Sequence, residues 1–201
     1  MGMNLEPALV KAREDFGRRD PEAMALNARA VFSQGVFKLS FLGEQYMVHY
    51  PRGEIKSGER EGDVGRATQV ILLHYFAYST PAVPEGGLIS FKELPGGSIY
   101  VGPFTNRVIR PLLKYFGQQP EKLLAAGQKM GGEAGGIGDF SMTIPVLPKI
   151  PVTFVIWAGD EEFPPAGNVL FDSSAARHLP TEDYVVLCGL VLDRLRKLGG
   201  A

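Results

Sequence analysis

The sequence predicts an α+β fold in a single domain, a mostly antiparallel sheet of about six strands with helices packed on it. Three observations carry this expectation. Apolar residues recur with period two in some segments and with a helical period in others. The period-two segments come in pairs joined by short turns containing glycine or proline, and hairpins of this kind make antiparallel neighbours, whereas parallel strands need long crossovers. The 201 residues are 45% hydrophobic, and a chain of this length buries roughly 70% of the surface its unfolded form exposes, enough for one core.

Residues 5–16 and 21–32 read as two helices, a helical lead-in over 1–35 to an α+β core over 36–201. Asp20 is placed to cap the second helix, and Pro21 takes its first position, where a missing N–H costs nothing. Phe37-Lys-Leu-Ser-Phe41 alternates apolar and polar, Gly43-Glu44 fits a two-residue turn, and 45–50 returns to complete a hairpin. The polar, charged segment 51–63 reads as loop. A helix capped by Asp63 follows over 64–78; its centre is apolar on nearly every side, which implies burial all round.

Residues 88–94 and 98–101 flank Pro95-Gly96-Gly97 and read as a second hairpin. Residues 105–116 are helical, with Pro111 either a kink or the true first turn, and 120–130 form another helix. The glycine-rich stretch 131–138 reads as a flexible connection. Residues 139–146 and 150–157 are two long strands, the second apolar at nearly every position and therefore central and covered on both faces. Asp172 caps a short helix, and a last helix over 182–198 follows with Thr181 as cap. Acids sit in its first turn and Arg194, Arg196 and Lys197 in its last, as the helix dipole favours, and Tyr184, Cys188, Val191, Leu195 and Leu198 form its apolar stripe.

The charge balance argues against polyanion binding. Lys plus Arg number 21 against 22 acids, so no long-range field favours nucleic acid or an anionic membrane. The longest apolar runs fall far short of the ~20 residues a membrane span requires, and 1–11 lacks the apolar core of a signal peptide, so the expected location is the cytoplasm. The single cysteine, Cys188, excludes an internal disulfide and cannot alone hold an iron–sulfur cluster; on the inward stripe of the last helix it reads as inert packing. Phosphate-loop, dinucleotide, nucleophile-elbow and zinc-protease motifs are absent.

The segment 152–165 is the most informative. A run of β-formers stops at Gly159, and Asp160, Glu161 and Glu162 follow at once. Isolated carboxylates are costly to bury, so these three either reach water in a strand-end loop or meet a partner. They could bind a divalent cation through oxygen ligands or act as an acid–base pair. Trp157 either floors a ligand pocket by stacking or plugs the end of the core. Of the three histidines, His74 lies in the all-apolar helix, either as a core imidazole satisfied by one hydrogen bond or as an axial ligand to a tetrapyrrole metal. His49 and His178 read as solvated.

The segments Ile89-Ser-Phe-Lys-Glu-Leu-Pro-Gly-Gly97, Phe104 with Arg107 and Pro111, Gly138-Asp139, Gly159-Asp-Glu-Glu-Phe163, Leu170-Phe-Asp172 and Leu179-Pro-Thr-Glu-Asp183, with the strand 151–157, together resemble the prokaryotic family labelled domain of unknown function 3786, over nearly the whole chain. The resemblance implies no activity. It does imply neighbours, since some members join this domain to a four-cysteine iron–sulfur module like that of the corrinoid iron–sulfur protein of anaerobic one-carbon metabolism. This chain has no such module. With the residues above, the resemblance leads to an accessory protein that binds a small-molecule ligand, a corrinoid or haem, beside a corrinoid or iron–sulfur protein partner. His74, Asp139, Trp157, Asp160, Glu161 and Glu162 would line a pocket between the sheet end and the central helix. One alternative is an enzyme in which Glu161 or Asp160 serves as general base with a divalent metal held by the other acids. Another is an interaction module presenting Phe163-Pro164-Pro165.

Overall fold

A computed structural model, in which residues 5–58 and 62–200 are described, has the expected α+β character with two antiparallel sheets. The chain opens with α1 (Glu6–Gly17) and α2 (Pro21–Ala28). Asp20 caps α2 as expected, its Oδ1 accepting from the Ala23 N–H at 2.8 Å. The helix stops four residues sooner than 21–32 implied, because Arg29 turns to φ 50° and Val31 and Phe32, both good strand formers, pair instead as β1 (Val31–Ser33).

β1 begins a four-stranded sheet completed in order by β2 (Val36–Phe41), β3 (Glu44–His49) and β4 (Glu54–Ser57). The expected hairpin is present, but its turn is Leu42-Gly43, not Gly43-Glu44. Both residues have positive φ, 54° and 78°, and Phe41 faces Glu44 across the ladder. Such a turn matches strand twist, and its second position suits glycine. Strand β4 lies in the segment read as loop; Asp63 sits beyond residues 59–61, which are outside the described ones.

The central helix α3 (Arg66–Tyr78) buries Val70 to Leu73 and Tyr75 to Ala77, as its composition required, though Gly65 and not Asp63 precedes it. The hairpin expected over 88–101 does not form. β5 (Leu88–Ser90) is followed by a tight helical turn over Phe91–Glu93 and then by α4 (Gly97–Phe104). The reason is local: the Glu93 carboxylate accepts from both the backbone N–H and the hydroxyl of Ser90, at 2.7 and 2.8 Å, and this capping box closes a helical turn where a strand would have continued. Phe91 then stacks on Phe104 with ring centroids 4.0 Å apart.

α4 runs through a wide π turn, Thr105–Ile109, into α5 (Arg110–Phe116). Pro111 has no N–H to donate to the Arg107 carbonyl, so the regular ladder cannot close there, and the Arg110 N–H bonds the Thr105 carbonyl five residues back. After α6 (Pro120–Gln128) come β6 (Glu133–Gly135), β7 (Phe140–Leu147), β8 (Ile150–Trp157) and β9 (Ala166–Asp172). The order is β5-β9-β8-β7-β6, which puts β8 in the middle as its apolar run predicted. β6 forms an edge within the stretch read as a connection, and β9 is a strand that the sequence pattern did not signal.

The last helix, α7 (Thr181–Gly199), lays its stripe on this sheet, with the Tyr184 ring 4.9 Å from that of Phe171. Thr181 does not cap it: the hydroxyl donates to the Pro95 carbonyl at 2.7 Å and ties α7 to the loop before α4. Cys188 is fully buried, and burial pushes its thiol far up, in keeping with inert packing. The two sheets meet where the Leu42 N–H donates to the Val146 carbonyl, and apolar side chains from both join one core.

Asp172 does not cap a helix. It ends β9, and its carboxylate accepts from the N–H groups of Glu85, Gly86 and Ser174 and from the Ser174 hydroxyl. Burial raises its pKa, but these donors more than offset that, so the carboxyl sits below its ordinary value. His178, read as solvated, is completely buried beside Lys149, because Leu179 and Ala175 draw its loop into the core. Its Nδ1 lies 3.4 Å from the Ser79 hydroxyl, and its Nε2 has no hydrogen-bond partner among the described residues. Burial first, and the Lys149 ammonium next, push the imidazole down to about 4.

The unfolded chain therefore binds a proton that the folded chain refuses. The contribution is fully present above the ordinary histidine value of 6.5 and is lost as pH falls from there toward 4, a loss of about 3 kcal/mol. We predict that urea unfolding of the intact chain shows this decline between pH 6.5 and 4, and that His178→Gln flattens it; an unchanged slope would show that another group sets the acid limit.

Candidate functional site

His74 and Asp183 are 109 residues apart in sequence and touch in space. His74 sits in the third turn of α3, whose neighbouring side chains are all held in the core, while Asp183 is in the first turn of α7, where the positive end of the helix dipole favours a carboxylate. The His74 Nδ1 and Asp183 Oδ2 atoms are 2.7 Å apart, and the two side chains keep 16% and 12% of their exposure. A carboxylate can only accept, so Nδ1 carries the hydrogen, and Nε2 is the nitrogen left for chemistry. The Tyr78 ring lies against the imidazole at 5.2 Å, and its hydroxyl donates to Asp15, which Lys11 pairs in turn. Burial, then the bond to Asp15, raises the Tyr78 pKa, while the Lys11 contact draws that of Asp15 down.

The pair forms one wall of a cavity of about 450 Å³ between α1, α3, α4 and α7. Leu5, Ala8, Val70, Ile71, Pro103 and Val185 give it an apolar lining. Its polar groups are few: His74 with Asp183, Tyr100 donating its hydroxyl to Glu182 at 3.1 Å, and Arg107 from the π turn. This is the composition of small-molecule sites, a mainly apolar recess with a small number of placed polar groups. Chemically, an imidazole fixed by a carboxylate can accept a proton, donate one, or ligate a metal through its outer nitrogen.

The remaining candidates lie elsewhere. Asp139 precedes β7, and its Oδ2 accepts from the Ala158 N–H at 2.8 Å, fastening the end of β8. Trp157, at 41% exposure, does not plug the core; it is the last residue of β8 and faces outward there. Asp160 accepts through one oxygen from the N–H groups of Glu162 and Phe163, at 2.8 and 2.7 Å, and these bonds, that from Phe163 first, lower its pKa. Glu161 and Glu162 are exposed on a recess of about 270 Å³ walled by Gln118 and 159–165. That recess shares no lining residue with the His74 cavity.

Thus the acids gather in one place, Asp139 and Trp157 border the strand end, and His74 belongs to another site. Among the described residues no three His, Cys, Asp or Glu side chains are arranged to hold a metal ion. Phe163 is exposed beside Pro164 and Pro165, and His49 is half-buried on β3. Sequence reading missed Asp183, Glu182, Tyr100 and Arg107 as site residues. The first two had a sufficient local explanation as helix-start acids, and no periodic signal links α7 to α3.

The family model described as "Domain of unknown function (DUF3786)" matches residues 20–194. The chain belongs to this family. No curated protein and no solved structure matches it. The DUF3786 match takes in His74, Arg107 and Asp183 as well as the acidic loop, and among the described residues no helix is long and apolar enough to cross a membrane.

The Asp160 geometry predicts a structural role for that side chain. Asp160→Ala should lower the melting temperature slightly by freeing two N–H groups, and Asp160→Asn, which can accept the same bonds, should not. A wild-type melting temperature for the alanine variant would remove the turn from this account.

Proposed function

We propose that this protein binds a small molecule with an apolar body in the cavity between α1, α3, α4 and α7, and that His74, oriented by Asp183, is the polar anchor of that site. The observation that carries the reading is the pair itself: an imidazole in hydrogen-bond contact with a carboxylate, on the wall of an otherwise apolar recess. A core imidazole needs only one partner. This one has it in Asp183 and also borders open space, which a purely structural histidine would not need.

A second reading is favoured by which nitrogen is taken. Metal-bound histidines commonly give their other ring N–H to a carboxylate, which fixes the ring and raises its basicity, and Asp183 stands in that position to His74. If the ligand were a corrinoid or haem, His74 would be the residue to hold its metal and the apolar lining would hold its body, and the group would supply redox or group-carrier chemistry. The family resemblance, which implies neighbours that carry corrinoid iron–sulfur modules, is what supports an accessory role beside such a partner. A metal-assisted reaction at Asp160, Glu161 and Glu162 has less support, because Asp160 already holds its own loop.

A thermal-shift screen of apolar small molecules against the purified chain tests the leading reading, since a ligand at 100 times its Kd adds about 2.7 kcal/mol of stability. At least one stabilising compound is expected, with its effect reduced in His74→Ala and unchanged in Glu161→Ala. Stabilisation lost in the Glu161 variant instead would move the site to the acidic loop. Incubation with hemin or cobalamin tests the second reading: a shifted visible spectrum that is absent in His74→Ala supports it, and an unshifted one removes it.

A further inference from the structure

The cavity does not end at His74. Arg107 and Val186 line both it and a second recess of about 250 Å³, which continues along α7 between Pro111 and Tyr115 on one side and Gly189, Leu190 and Asp193 on the other. Arg107 therefore stands where the apolar cavity passes into a more polar one. The acids of the first chamber are engaged, Glu182 by the Tyr100 hydroxyl and Asp183 by His74. The Arg107 side chain is exposed and makes no hydrogen bond or ion pair among the described residues.

Two further observations mark the second recess. Arg107 is the one cation that lines it and Asp193 the one carboxylate, while Lys114 and Arg196 lie over the ring of its lining residue Tyr115, at 5.9 and 5.7 Å from the centroid. Gly189 sits in the middle of a 19-residue helix, where only proline is a poorer choice, yet a Cβ there would meet nothing within 4 Å. Packing within the chain does not require that glycine. What its missing side chain provides is room in the recess.

We infer that the two chambers form one site for an anionic amphiphile, whose apolar chain fills the cavity beside His74 and whose carboxylate or phosphate head is held by the Arg107 guanidinium over Gly189. This rests on the ligand-binding reading above and adds the chemical class. Guanidinium and oxyanion make a paired, charge-assisted contact that a neutral head cannot. The π turn has a part in it, since Pro111 opens the helix at the turn that carries Arg107.

Calorimetric titration of the full chain with decanoate, decyl phosphate and decanol at pH 7 is the test. Both anions should bind at least about tenfold more tightly than the alcohol, the size of one charge-assisted contact, and the tighter of the two names the headgroup. Arg107→Gln should bring the anions to the level of decanol and leave the melting temperature of the unliganded chain as it was. Gly189→Ala should raise the melting temperature and weaken the anions. Decanol binding as tightly as the anions, or an anion preference that survives Arg107→Gln, would overturn the headgroup assignment and leave the cavity standing. No binding by any of the three would overturn both.

Discussion

α7 is held at both ends by side-chain pairs to other parts of the fold, and the functional geometry depends on that attachment. Near its start Asp183 bonds His74 of α3, and near its end Arg194 pairs with Glu44 of β3 at 2.7 Å, with the Glu44 side chain almost fully buried. Between these points the helix presses Tyr184, Cys188, Val191 and Leu195 into the core. Its outer face is thereby placed beside α4 and α5, touching α4 at the Tyr100–Glu182 bond and leaving the two chambers along the rest. A pair with little exposure gains more from its partner than a surface pair does, and removing one member leaves a charge or donor that water cannot readily reach. Breaking either pair therefore costs stability, and together they fix the register of α7.

Several elements were legible because local chemistry decided them. Asp20 with Pro21 starts a helix wherever the following residues permit, the alternation in 37–41 commits one face of a strand to the core, and the nearly continuous apolar run of β8 has no stable place except between two other strands. Other elements depended on partners that sequence spacing does not reveal. Ile99, Tyr100 and Val101 are strand formers, yet the capping box at Ser90 and Glu93 and the stack of Phe91 on Phe104 commit them to a helix. β9 contains Gly167 and Asn168, poor strand formers, and exists because β8 offers a complete ladder of donors and acceptors.

The site was legible only in part, for the same reason. His74 was picked out as an imidazole in an apolar helix, but its partner lies at the far end of the chain, and Asp183 looked fully explained by the helix dipole. The acidic loop drew attention because three carboxylates follow a buried strand. In the fold one of them closes its own turn and the other two face outward, which is the inexpensive resolution for charge at a strand end. His178 shows the converse: a histidine before a proline in a short loop is ordinarily wet, and here the surrounding apolar residues have drawn it inside.

The central claim is that ligand enters beside His74 and not beside the acids after Trp157. Chemical-shift mapping of the isotopically labelled chain during titration with decanoate tests this most directly. The account predicts the largest changes at His74, Tyr100, Arg107 and Val186, with 159–165 unmoved. Changes concentrated at 159–165, or none anywhere, would contradict it.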